Sequence, residues 1–215
     1  MASALEKIYL YFSMGIILCP LILALINVKS YPKELKVITL YLVSIATLGA
    51  YSAYLWTQLK NNLPVLHVYT MVEFTGITLF YQVIFKTYIK KIWFWVLITC
   101  FLAFCLINAT CIQDWKIFNT YPRTLESILV ISASLYYYYK ITRQTLYTQI
   151  EKSPVFWINT GFFIYFSGSF LLFTISNYIL PYSFKFNMMV WQFHAFLSIV
   201  NNILIFIGLW QHKKT

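Results

Sequence analysis

"HVYTMVEFTGITLFY", residues 67–81, decides how this chain folds. It lies inside an apolar run from Pro64 to Phe85 and carries His67 and Glu73 with no neighbouring charge to balance them. A run of that length matches the ~20 residues a helix needs to cross the hydrocarbon core of a bilayer. An ionisable group placed there costs about 2.5–3.5 kcal/mol on insertion scales, so a carboxylate kept in such a run has a partner or a task.

The rest of the composition agrees with a bilayer. Of 215 residues, 60% are hydrophobic, 20% aromatic and only 10% charged, where a soluble domain carries about 25% charged. So much apolar surface cannot be hidden in water, and the bilayer becomes the first partner. The net charge of +10 does not indicate nucleic acid, because the basic residues gather in short loops between apolar runs, where they orient a membrane protein. Lysine outnumbers arginine 14 to 2 and Ile, Tyr, Phe and Asn are abundant, a bias that suits an AT-rich bacterial genome. Cys19, Cys100, Cys105 and Cys111 match neither a zinc-knuckle nor a redox spacing and read as small hydrophobes.

Seven stretches are long enough to span: about 8–28, 36–58, 64–86, 92–109, 121–141, 155–179 and 188–210. The expected fold is therefore all-α, a seven-transmembrane helix bundle forming one domain over residues 1–215. The run from Ile8 to Val28 is too long for a signal-peptide core and should stay as the first span. Pro32, Pro64, Pro122, Pro154 and Pro181 fall at span edges, while Pro20 is interior and should kink the first helix. Eleven of the sixteen basic residues lie in the loops 29–36, 86–91 and 140–152 and in the tail. The positive-inside rule then puts the N-terminus outside and the C-terminus in the cytoplasm. Trp93, Trp95, Tyr136 to Tyr139, Trp157 and Trp210 would mark the inner interface, and Trp56 and Trp191 the outer one. Loops of about a dozen residues or fewer leave the bundle, or a partner, as the place where function happens. Gly49 with Ala53, Ala46 with Ala50, and Gly161 with Ser167, Gly168 and Ser169 offer surfaces on which helices could approach closely.

With that orientation, the costly polar residues collect in one leaflet. Glu73 lies about 9 Å below His67 along the third helix. Arg123 and Glu126 occupy the first two turns of the fifth, Asn177 the outer end of the sixth, and Trp191, His194, Ser198 and Asn201 one face of the seventh. Tyr69 shares the face of Glu73. His67 lies near the outer surface, shallow enough to be solvated, and is rotated about 120° from Glu73, so the two need not share a ligand. The candidate ligand-binding set is Glu73, Glu126, His194, His67, Tyr69, Arg123, Ser198, Asn201, Asn177 and Trp191. A local Arg123–Glu126 ion pair is the structural alternative, and for Asn201 an interhelical hydrogen bond.

Known seven-helix families fit poorly. The last helix has no interior lysine to hold retinal. The outer-leaflet histidines, carboxylates and serine resemble the alkaline-ceramidase type of zinc hydrolase, yet three zinc-binding histidines cannot be assembled. Paired-repeat sugar carriers need matched prolines in both halves, and Pro20 stands alone.

The segments "NNLPVLHVYTMVEF" (61–74), "FNTYPRTLESILV" (118–130), "FWINTGFFIYFSGS" (156–169) and "WQFHAFLSIVNNILIFIGLW" (191–210) resemble uncharacterised seven-helix integral membrane proteins of Bacteroidota. The resemblance implies residence in a bacterial inner membrane and no particular activity. The expected function is a receptor-like or sensor-like module that binds a small ligand, cationic or metal-containing, in an outward-facing polar pocket. A separate cytoplasmic signalling protein would read it through the basic loops. An intramembrane metal-dependent lipid hydrolase is the alternative, with zinc entering only under that reading, and a small-solute or proton-coupled transporter comes third.

Overall fold

Each apolar run in the described chain becomes a helix. The computed structural model describes residues 15–143, 149–179 and 184–214, and among them there is no strand. We number the helices α1 (Leu18–Asn27), α2 (Lys33–Thr57), α3 (Leu63–Ile84), α4 (Lys91–Ile107), α5 (Thr120–Arg143), α6 (Pro154–Ile179) and α7 (Phe184–Lys214). A π-helical turn, Asn108–Ile112, continues α4, and a 3₁₀ turn, Ile150–Lys152, precedes α6. Residues 8–14 of the expected first span, and Pro181, lie outside the described residues.

Turn chemistry sets the boundaries. Pro64 and Pro154 stand at the starts of α3 and α6, where a missing N–H costs no intrahelical bond. Around Pro20 the helix is interrupted rather than bent: Gly15 is helical, Ile16 and Ile17 form a turn and helix resumes at Leu18, while Pro20, having no N–H, leaves the Ile16 carbonyl to Cys19 N at 3.1 Å.

Five helical stretches are long and apolar enough to cross a membrane: Lys33–Thr57, Leu63–Ile84, Lys91–Ile112, Pro154–Ile175 and Met188–His212. α1 is too short over its described residues, and α5 is too polar. The polarity of α5 has an inside-out arrangement. Thr120, Arg123, Glu126, Ser127, Ser134 and Tyr137 are buried at helical spacing, while Tyr121, Ile128, Leu135 and Tyr139 are exposed. A helix that turns polar groups inward and apolar ones outward suits a hydrocarbon surrounding.

α1 packs on α2 and α7, α2 on α3, α3 on α4 and α5, α5 on α6, and α6 on α7. Six helices thus close a ring, and α4 stands outside it against α3. On α4 only Phe94, Ile98, Phe101 and Cys105 are buried, a single stripe at steps of four, three and four. Phe101 stacks on Phe74 of α3 with centroids 3.9 Å apart. In the ring, Phe162 of α6 meets Tyr41 of α2 and Phe80 of α3 edge to face at 5.7 and 5.8 Å.

Close approach depends on glycines other than those of α2. A Cβ on Gly208 would lie 2.7 Å from the Pro154 carbonyl, and one on Gly168 2.7 Å from the Leu197 side chain. Around Gly49 there is nothing within 4 Å. The small-residue surface expected at Gly49 and Ala53 is therefore not an approach site at Gly49, whereas that at Gly161 and Gly168 lies in the α6–α7 contact.

Candidate functional site: a buried ion triad

Arg123 and Glu126 stand one turn apart near the start of α5, and Glu73 faces them from the middle of α3. The Arg123 guanidinium donates through Nη1 to Glu73 Oε2 and, at 3.0 Å, to Glu126 Oε2. All three are buried, at 5%, 2% and 0% exposure. The guanidinium also lies over two rings, 5.2 Å from Tyr69 on α3 and 4.9 Å from Phe173 on α6, an attraction that strengthens when water is excluded. Tyr41 of α2 donates a long hydrogen bond of 3.5 Å to the other Glu73 oxygen. Three helices therefore meet at one cation, and α2 joins the cluster through Glu73.

The local Arg123–Glu126 pair named as the structural alternative is present, enlarged by Glu73 into an interhelical triad. Arg123 supplies the positive charge that the two carboxylates call for. One guanidinium and two carboxylates still carry a formal charge of −1. In addition, Arg123 Nε and Glu126 Oε1 have no hydrogen-bond partner among the described residues. Burying charge is repaid only when geometry is good and the remaining lone pairs and protons are satisfied. This site meets the first condition and falls short of the second.

His194 borders the triad without touching it. Its Nε2 shares a 3.0 Å hydrogen bond with the Tyr165 hydroxyl of α6, and its ring packs on Phe173 at 5.4 Å, the ring whose centroid lies 4.9 Å from Arg123. Trp191 contacts His194 at 5.6 Å and Phe118 at 5.8 Å. It is half-buried in the bundle.

His67 has a different environment. It was expected to be shallow and solvated, yet it is 2% exposed. Its Nε2 lies 3.1 Å from the Ile117 carbonyl and its ring 4.9 Å from Trp115. Both contacts come from the 108–119 connection, which folds over the start of α3. Polar side chains fasten it there. Asn119 donates to Thr70 at 2.8 Å, Gln113 to Thr120 at 2.6 Å, and Asn108 to Gln113 at 3.2 Å. Thr70 precedes Glu73 by one helical turn, and Asn119 precedes Arg123 by one, so the connection covers the triad from that end. Glu73, expected to face an outward-opening pocket, is 2% exposed.

The remaining candidates lie apart from the triad. Asn201 is buried against Gly161, where a Cβ would stand 2.8 Å from its Oδ1. The Ser198 carbonyl accepts a 2.9 Å bond from Asn202. Asn177 belongs to α6, and its side chain lies outside the described residues. Among the described residues no group of three or more His, Cys, Asp or Glu side chains could hold a metal ion, and His67, Glu73, Glu126 and His194 do not gather into one.

Sequence reasoning missed Tyr41, Tyr165 and Phe173, which complete the aromatic wall. It also missed a second polar cluster about two turns along α3, where the Tyr81 hydroxyl meets Ser134 of α5 at 2.7 Å and donates to Asn159 of α6 at 2.8 Å. The available signal was that Ser134 follows Arg123, Glu126 or Ser127, and Val130 at helical steps on one α5 face. Comparison with family models, with curated proteins and with solved structures returns no match.

Proposed function

We propose that this chain is a sensor-like module of a bacterial inner membrane. In this reading it crosses seven times with its N-terminus outside, takes up a small cation at the triad and couples to a separate cytoplasmic protein through its basic loops. The observation that carries the reading is the incomplete triad: two carboxyl groups share one guanidinium nitrogen, with Glu126 Oε1 and Arg123 Nε left unpaired in a site of 0–5% exposure. An intramembrane ion cluster of this kind marks a functional site by default. The inside-out polarity of α5 supports its being a span, because its exposed face suits lipid while its buried stripe holds the site.

A cation competing for Glu126 would loosen the bond that holds α5 to α3. Glu73 and Glu126 are 2% and 0% exposed, so the ligand acts by selecting a more open arrangement, and its leverage equals its preference for that state. The aromatic walls of Tyr69 and Phe173 suit a small organic cation. The metal-hydrolase alternative, with His67, Glu73, Glu126 and His194 as ligands or acid–base groups, draws no support from the described residues: both carboxylates pair with Arg123, and the two histidines bond to other groups.

Methylammonium and guanidinium serve as probes. Protein in lipid nanodiscs should show a thermal stability that changes with either probe, and Glu126→Gln should abolish the response. Pull-down from membranes should recover a cytoplasmic regulator in a probe-dependent manner. No response to either probe, together with no recovered partner, contradicts the proposal.

A further inference from the structure

A cleft of about 260 Å³ opens between α2 and α3, with Leu102 of α4 on one side. Its rim residue Leu40 is 63% exposed and belongs to a helix long and apolar enough to cross a membrane, so the cleft opens onto hydrocarbon. The three hydroxyl-bearing residues of its wall have spent their protons elsewhere: Ser44 donates to the Leu40 carbonyl at 3.0 Å, Thr75 to the Met71 carbonyl at 2.7 Å and Tyr41 to Glu73. No proton is offered there to water or to a polar ligand. The cleft is also smaller than the ~300 Å³ at which pockets for drug-sized ligands begin, which suits a slender occupant. An apolar void in a bilayer forfeits dispersion contacts unless something fills it, and the material at hand is lipid hydrocarbon.

We infer that this cleft seats one acyl chain of a membrane lipid. The floor ties the seat to the triad. Tyr41 lines the cleft and packs on Gly76, where a Cβ would come within 2.9 Å of its ring. The same tyrosine's hydroxyl donates to Glu73. A chain in the cleft lies against the ring whose far end touches the ion cluster. Under the sensor reading, on which this last step rests, lipid occupancy holds Tyr41 onto Glu73 and biases the triad toward its closed form.

Native mass spectrometry of the full chain, released from phospholipid nanodiscs into mild detergent, tests the seat. Wild type should retain one phospholipid. Val72→Trp, which fills the cleft, should lower the retained fraction at least fivefold, while Ile128→Trp on the exposed face of α5 should keep it. Equal retention by Val72→Trp and wild type, or none by wild type, overturns the inference. Should Val72→Trp fail to fold, a phospholipid with a diazirine on its acyl chain is photolysed with wild type instead. Labelling concentrated at residues 71–79 and at Leu102 supports the seat. Even labelling of all exposed apolar residues overturns it, as does a chain-to-chain disulfide through Leu40→Cys, which would assign the cleft to a second copy. Glu73→Gln breaks the triad and should still retain the lipid, so the seat can stand where the sensor reading fails.

Discussion

Two polar clusters join α3 to its neighbours about two helical turns apart, and they solve the same problem differently. At one, Glu73, Arg123 and Glu126 form an ion triad with a residual formal charge and two unpaired atoms. At the other, Tyr81, Ser134 and Asn159 form a neutral network in which the tyrosine hydroxyl bridges α5 and α6 and one atom, Asn159 Nδ2, is unpaired among the described residues. Both lie on the buried stripe of α5. A neutral hydroxyl–amide network holds helices together in hydrocarbon at modest cost. A charged triad does no more for packing and risks far more, because losing a partner strands a charge. A sequence that needed only adhesion could have used the neutral arrangement twice.

The largest expected effect follows from that asymmetry. Arg123→Gln leaves two buried carboxylates facing each other and should cost about 3–5 kcal/mol of unfolding free energy, read by steric trapping in bicelles. The triple variant Glu73→Gln, Arg123→Gln, Glu126→Gln removes all formal charge and should recover most of that loss. If the triple variant is as unstable as Arg123→Gln, stranded charge is not the cause. At the neutral cluster Tyr81→Phe leaves the Ser134 hydroxyl and Asn159 Oδ1 without their shared partner and should cost less, about 1–3 kcal/mol. A loss equal to that of Arg123→Gln would erase the distinction between the two sites. The smallest effect belongs to the half-buried Thr124–Thr174 pair, 3.1 Å apart between α5 and α6. Thr124→Val should cost about 0.6 kcal/mol, the average for an interhelical hydrogen bond in a membrane bundle.

Much of this contrast is legible in the sequence, and the remainder fails for physical reasons. The helices fall close to the apolar runs because a spanning run needs length and the prolines punctuate its ends. Glu73, Arg123 and Glu126 stand out because ionised groups are rare in such runs. Their mutual contact is less legible, since it depends on which face of α3 turns toward α5. Apolar periodicity is a weak guide to facing when both the core and the surroundings are apolar. Tyr41 and Tyr165 are hidden among eighteen tyrosines. Ser134 and Asn159 look like isolated polar residues until Tyr81 is placed between them. His67 was misjudged because helical depth predicts solvent at its level, whereas the 108–119 connection, held by Gln113 and Asn119 amides, folds back and seals it. Gly49 was misjudged because a small residue permits close approach without requiring it.

The central claim is that Glu73 and Arg123 act as one unit across two helices inside the membrane. A double-mutant cycle on Glu73→Gln and Arg123→Gln, read as unfolding free energy in bicelles, measures it directly. The account predicts that the two losses fail to add by at least about 1.5 kcal/mol, within the range seen for residues in one ionic network. Losses that add to within about 0.5 kcal/mol, as they do for distant independent sites, would contradict it.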